Sequence, residues 1–212
     1  MATAKGISEK TSSGKRGLIQ TAASRLFLGQ GYAKASMDAI ASEAGVSKAT
    51  LYAHFKSKQA LFESMVQERF RQEMEESLQP AMLGDDPLEG LAAIGRRFLG
   101  LLLKPGALST FRLVLSEGRH LPELSESFYR SGPARTLSMV AAYIEHLNKQ
   151  GRLLVPDPAL GADLFLGSLR NSSYLKCLLG VEPAPEAGEI AHLAQAAATL
   201  FVAAHQPRNP NS

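Results

Sequence analysis

The sequence predicts an all-α protein, an N-terminal three-helix helix-turn-helix head joined to a larger helical bundle. Three observations predict it. Apolar residues recur at intervals of three and four through most of the chain, as the buried stripe of a helix requires. No run alternates apolar and polar residues over the length of a strand. Prolines and glycines fall between the periodic segments, at Pro87, Pro105, Gly106, Pro122, Pro133, Gly151 and Pro183, where they end or open helices. Nine or ten helices follow from this punctuation.

Residues 1–13 are small, polar and slightly basic, and read as a mobile arm. The first helix runs from about Gly14 to Leu28, with Leu18, Ile19, Ala22, Ala23, Leu26 and Phe27 as its stripe. Gly29 and Gly31 end it, and Tyr32 packs against the head's core from the linker. Ser36 caps the second helix, where Met37, Ile40, Ala41 and Ala44 share one face. Gly45 follows as the left-handed terminator and Val46 fills the corner. Ser47 caps a third helix that turns Leu51 and Phe55 inward. That leaves Lys48, Thr50, Tyr52 and His54 wholly or partly outward. A helix shorter than roughly 12 residues is marginal alone, so its neighbours must hold it. Ser57 caps a fourth helix, with Lys58 in its first turn and Leu61, Phe62, Met65, Val66 and Phe70 on the buried side to about Leu78.

A linker at 80–86 leads to Pro87, well placed in the first turn after the capping candidates Asp85 and Asp86. Leu88, Leu91, Ile94, Phe98 and Leu101 mark that helix. Shorter pieces follow at Leu108–Leu115 and from Pro122, and a longer helix from Pro133 to Leu147 is closed by Gly151. Pro156 and Pro158 keep the next stretch extended. One helix then covers Ala159–Leu179 and the last covers Ala187–His205. The resulting domains are 1–60, the helix-turn-helix head; 61–206, the larger helical bundle; and 207–212, a flexible tail.

Charge is segregated along the chain. The 212 residues carry a net +3, but residues 1–60 hold nine Lys or Arg against three acids, and residues 61–212 hold fourteen against seventeen. A positive head is the electrostatic footprint of a nucleic-acid binder. The single cysteine, Cys177, excludes an internal disulfide; it reads as a small buried hydrophobe, with a redox-sensing thiol as the alternative. The N-terminus has no apolar core of a signal peptide and no run reaches 18 apolar residues, which leads to the expectation of a cytoplasmic protein without a membrane span. His54, His120, His146, His192 and His205 are scattered, and no phosphate loop, nucleophile elbow or metal-binding helix motif occurs. No cofactor, metal or catalytic residue is expected, and the chain reads as a non-enzyme.

A short helix with an exposed basic and hydroxyl-bearing face suits the major groove of DNA. The alternatives are an ordinary helical hairpin with a solvated face, or a basic head that grips an acidic protein. Lys58 opposes the dipole of its own helix unless that end faces a phosphate; otherwise it is a surface lysine. The last helix is apolar around much of its circumference, with Ile190, Leu193, Leu200, Phe201 and many alanines. It is either the core helix of a monomer or, with the helix before it, the seam of a two-fold homodimer. Phe111, Arg112, Phe128, Tyr129, Phe165, Arg170 and Tyr174 either line a cavity for a small-molecule effector or pack as core.

The run IASEAGVSKATLYAHFKSKQALF, with AASRLFLGQGYAKAS before it, closely resembles the DNA-binding motif of the tetracycline-repressor (TetR) family over about residues 15–62. The stretch from FRLVLSEGRHLPELSESFYRSGP to GRLLVPDPALGADLFLGSLR looks like a C-terminal type found among efflux-related regulators. The resemblance implies a repressor released from a palindromic, double-stranded operator by a small molecule. It implies that Ser36, Tyr52 and His54 touch phosphate, that Lys48, Ala49 and Thr50 lie in or beside the major groove, and that Lys58 clamps phosphate. Ala49 stands where many members have glycine, and Met37 where a small or β-branched residue is common; both departures leave the class intact.

Overall fold

The structure, a computed structural model, describes residues 3–75 and 83–207, with the side chains of 14–74 and 83–207. Among these residues there are eleven α-helices and no strand. Four helices come first: α1 (Thr3–Gln30), α2 (Met37–Glu43), α3 (Lys48–His54) and α4 (Lys58–Phe70), the last continued by a π-helical turn at Arg71–Glu75. Then come α5 (Pro87–Leu102), α6 (Pro105–Glu117), α7 (Pro122–Ser131) and α8 (Pro133–Lys149). The chain closes with α9 (Pro158–Leu169), α10 (Ser172–Leu179) and α11 (Ala187–His205). Two compact units result. One is the chain up to Glu68 together with Ser109–Ser131; the other is Arg69–Leu108 with the chain from Gly132 onward.

In the first unit Ile19, Ala23, Phe27, Ile40, Leu51, Leu61 and Phe62 are all but removed from solvent. Phe27, Tyr32 and Phe62 form a triangle of rings with centroids 5.0 to 6.1 Å apart, tilted or edge-on as aromatic quadrupoles prefer. Val114 of α6 and Leu124 of α7 join the same core. Glu63 on α4 accepts hydrogen bonds from Ser127 Oγ (2.8 Å) and Arg130 Nη2 (2.6 Å), while Gln59 Nε2 donates to Ser127 Oγ at 2.8 Å. These contacts explain why residues 109–131, placed by the sequence in the larger domain, pack with the head. Sequence punctuation marks helix ends but not which core a short helix joins.

The second unit is built around α5. Asp86 caps it, accepting from the amides of Leu88 (2.9 Å) and Glu89 (3.3 Å), and Pro87 occupies the first turn. Leu91, Ala92, Ile94, Phe98 and Leu99 are buried along it. Helix α11 packs against α5, and Ala194, Ala197, Ala198 and Phe201 are buried along it. The approach is close: a Cβ on Gly95 would stand 3.0 Å from that of Ala194. The extended stretch after α8 is pinned by Asn148, which exchanges two hydrogen bonds with Val155 (2.8 and 3.0 Å), and by the Leu154 amide, which donates to the His205 carbonyl at 2.8 Å.

Two expectations are corrected. The backbone of the arm at residues 3–13 is helical, with α1 starting at Thr3; no proline interrupts that stretch. The single helix foreseen over Ala159–Leu179 is two helices. Asn171 stops the first and caps the second, its side-chain oxygen accepting from the amides of Ser173 (3.0 Å) and Tyr174 (3.3 Å). Apolar spacing runs through this break and hides it. By length and composition alone α11 could cross a membrane, a test that a core helix also passes, so it does not overturn the expectation of no span. It carries Glu189, His192 and Gln195, and its alanine side is packed on α5. The foreseen end of the fourth helix near Leu78 and the tail after Pro207 lie outside the described residues.

Candidate nucleic-acid interface

The interface is assembled from two short helices that local chemistry starts and stops. Ser36 Oγ accepts from the Ala39 amide and Ser47 Oγ from the Thr50 amide, both at 3.1 Å, so each helix has a first-turn donor satisfied by its own cap. Gly45 takes φ +64°, and beyond it the Val46 amide donates to the Ala41 carbonyl at 3.0 Å, closing the turn. Leu51 and Phe55 are buried, and the Arg16 guanidinium lies over the Phe55 ring, 4.6 Å from its centroid. With one side anchored, α3 presents the other. Lys48, Ala49 and Tyr52 are exposed, and Thr50 and His54 are half-buried.

Two outward groups are engaged within the protein. Lys48 Nζ is paired with Asp38 Oδ2 at 2.5 Å, both side chains being well exposed. Thr50 Oγ1 shares a hydrogen bond with Ser47 Oγ at 2.9 Å. Such a surface ion pair is worth little, so DNA can take Lys48 at small cost.

Lys58 stands differently from the expected clamp. Its ammonium donates to the carbonyls of Tyr32 (2.7 Å), Ala33 (3.1 Å) and Ala35 (3.0 Å), and it sits 4.4 Å from the Tyr32 ring centroid. An ammonium has three protons, and three acceptors here match them. A phosphate would have to displace a carbonyl. Burial holds the Lys58 pKa below its ordinary value, against the pull of Glu117.

Across the same loop, Glu117 accepts from the amides of Tyr32 (2.8 Å) and Ala33 (2.7 Å). The Tyr32 phenol is pushed up to about 12, chiefly by burial and then by Glu123, Glu63 and Glu117. Sequence reading missed Glu117, Asp38 and Arg16. Glu117 lies more than eighty positions from its partners, and no spacing rule links them.

The seven pocket candidates divide between the two units. Phe111, Arg112, Phe128 and Tyr129 belong to the first unit; Phe165, Arg170 and Tyr174 belong to the second. Phe111 and Phe128 pack edge to face at 5.8 Å, Tyr129 is 58% exposed, and Phe165 is buried edge-on to Phe201 at 5.6 Å. Arg170 is exposed and lies 5.7 Å from the Phe98 centroid, and Tyr174 is buried. An open groove of about 370 Å³ in the second unit is lined by Phe70, Ala134, Arg135, Ser138 and Met139. On the last helices Leu160 (55%), Leu164 (62%) and Leu200 (72%) face outward.

Comparison with known proteins places these features. Residues 19–65 match the family model described as bacterial regulatory proteins, tetR family, and residues 89–207 match the model of the AefR-like transcriptional repressor, C-terminal domain. The HTH-type transcriptional activator FasR of Mycolicibacterium smegmatis is 49% identical over 53 residues, a match that spans 25% of this chain and 24% of that protein. The solved structure of the flavonoid-responsive regulator FrrA is 34% identical, with a TM-score of 0.77 over 93% of this chain and 100% of that one. A TetR-family regulator from Mesorhizobium loti is 27% identical, with a TM-score of 0.76 over 92% and 98% of the two chains.

Proposed function

The chain belongs to the TetR family of bacterial regulatory proteins, and we propose that it is a homodimeric, cytoplasmic repressor released from a palindromic operator by a small molecule. Family and fold point to a DNA-binding transcriptional regulator rather than to an enzyme. The observation that carries the reading is α3, whose Leu51 and Phe55 are buried while Lys48, Ala49 and Thr50 stay at its outward edge. Those three enter or border the major groove. Ser36, Tyr52 and His54 meet phosphate and set the register. Lys58, with its protons engaged by carbonyls, serves by holding the loop that leads to Ser36.

Repression is favoured over activation because the family model matched by the larger half is a repressor's, whereas the activator FasR matches over only 53 residues. Two-fold pairing is supported by the outward leucines Leu160, Leu164 and Leu200 on helices already packed on their other side. An apolar or amphipathic effector is supported by FrrA, a flavonoid-responsive regulator. The effector acts by population shift, binding the form whose paired α3 helices no longer fit successive grooves.

A protection footprint on the DNA upstream of the protein's own gene tests this, with and without a flavonoid panel. Two protected half-sites about one helical turn apart, with affinity falling steeply as salt rises, are expected. Equal binding to random duplex, or a monomer at working concentration, would overturn it.

A further inference from the structure

The main-chain groups held by the side chains of Glu117 and Lys58 all lie in one short loop, the six residues from Gly31 to Ser36 that join α1 to α2. Inside the loop the Gly31 amide donates to the Phe27 carbonyl (3.1 Å), and the Ala35 amide donates to the Gly31 carbonyl (3.3 Å). The amides of Tyr32 and Ala33 go to Glu117, and the carbonyls of Tyr32, Ala33 and Ala35 go to Lys58. The acid thus takes amides and the ammonium takes carbonyls, each charge facing the dipole ends it favours. Gly31 leaves room for this. It has φ +92°, and a Cβ there would come within 2.5 Å of Glu117 Oε1.

We infer that Glu117 is a positioning residue for DNA binding: its carboxylate, through the amides of Tyr32 and Ala33 and together with Lys58, fixes the loop that delivers Ser36 and α2 to the interface. This rests on the DNA-binding reading above. No part of Glu117 need touch DNA. A carboxylate holding two amides contributes more than neutral bonds do, and its loss leaves two donors in competition for water. The loop can then fray while the aromatic triangle beneath it stays packed.

The full-length protein tests this with Glu117→Ala and Glu117→Gln. Amide hydrogen exchange is read at Tyr32 and Ala33, and affinity is read with a duplex of the protein's own upstream DNA. Glu117→Ala should speed exchange at both amides about tenfold or more, with core amides of α4 unchanged, and weaken duplex binding by a similar factor. Glu117→Gln keeps one acceptor oxygen, so one amide should stay slow and the affinity should fall between the other two proteins. Should Glu117→Ala unfold, the glutamine variant still gives the split between the two amides.

Amides as slow in Glu117→Ala as in the wild type would overturn the inference. So would unchanged duplex affinity alongside fast amides. Wild-type protein that binds no duplex sinks the regulator reading, and the amide comparison, which needs no DNA, still judges whether Glu117 holds the loop.

Discussion

Gly45 and Gly90 show how differently the two units are built. Gly45 has φ +64°, and nothing lies within 4 Å of where its Cβ would be; it is there for its backbone. Gly90 sits in α5, where a Cβ would meet the Tyr143 hydroxyl at 1.8 Å; it is there for its space. The first unit's site is made by local rules, a serine cap, a left-handed turn and a second serine cap. The second unit is made by helices meeting helices far away in sequence. Local rules can be read from a chain, and meetings at a distance cannot.

The largest change expected from this contrast appears only at high pH, where the two units should behave alike. Tyr32 and Tyr143 are each pushed up to about 12, with burial the first cause in both. A raised phenol pKa contributes stability that is complete below the unfolded value near 10 and is lost as pH rises through about 12. Unfolding should therefore steepen over that window. Tyr32→Phe and Tyr143→Phe should each remove part of the steepening in alkaline melts, and a variant that removes none shows its tyrosine is not a burial-shifted group.

At neutral pH the glycines separate the units. Gly90→Ala must displace Tyr143 and should cost about 1–3 kcal/mol, as overpacking does. Gly45→Ala carries only the left-handed penalty and should cost about 1 kcal/mol. Thermal melts that rank them the other way would break the distinction between space and backbone.

Thr50→Ala sharpens it on the functional side. Loss of a base contact should cost about 1–3 kcal/mol of discrimination between operator and mismatched duplexes. Equal loss on every sequence would mark Thr50 as part of the Ser47 cap alone. The smallest effect belongs to Asp38→Asn. Freeing Lys48 from its exposed partner should tighten binding to all duplexes by a few-fold at most, in line with an ion pair worth under about 1 kcal/mol; weaker binding would mean Asp38 steadies α2 for the complex.

These differences also explain what the sequence made legible. Ser36, Gly45, Ser47, Leu51 and Phe55 each carry a signal within a few residues of its structural partner, so the paired helices and their outward face were foreseen. Lys58 was foreseen as a cation at a helix start, but its three carbonyls come from a loop more than twenty positions earlier, and position alone points it at phosphate. Asn171 was lost inside an apolar pattern that continues past it. The aromatic and arginine candidates stand out by residue type, and type does not say that Phe165 faces Phe201 while Tyr129 faces solvent.

On the proposed two-fold pairing, the outward leucines of α9 and α11 have a cost for a chain without a partner. A lone subunit wets Leu160, Leu164 and Leu200, surface that prefers to leave water and that finds any other apolar surface when its own copy is scarce. Mass action then makes measured stability rise with concentration. On that pairing, a cell that makes too few copies leaves them as unpaired, sticky subunits, and the gene's own expression level sets a floor beneath which the proposed switch does not exist.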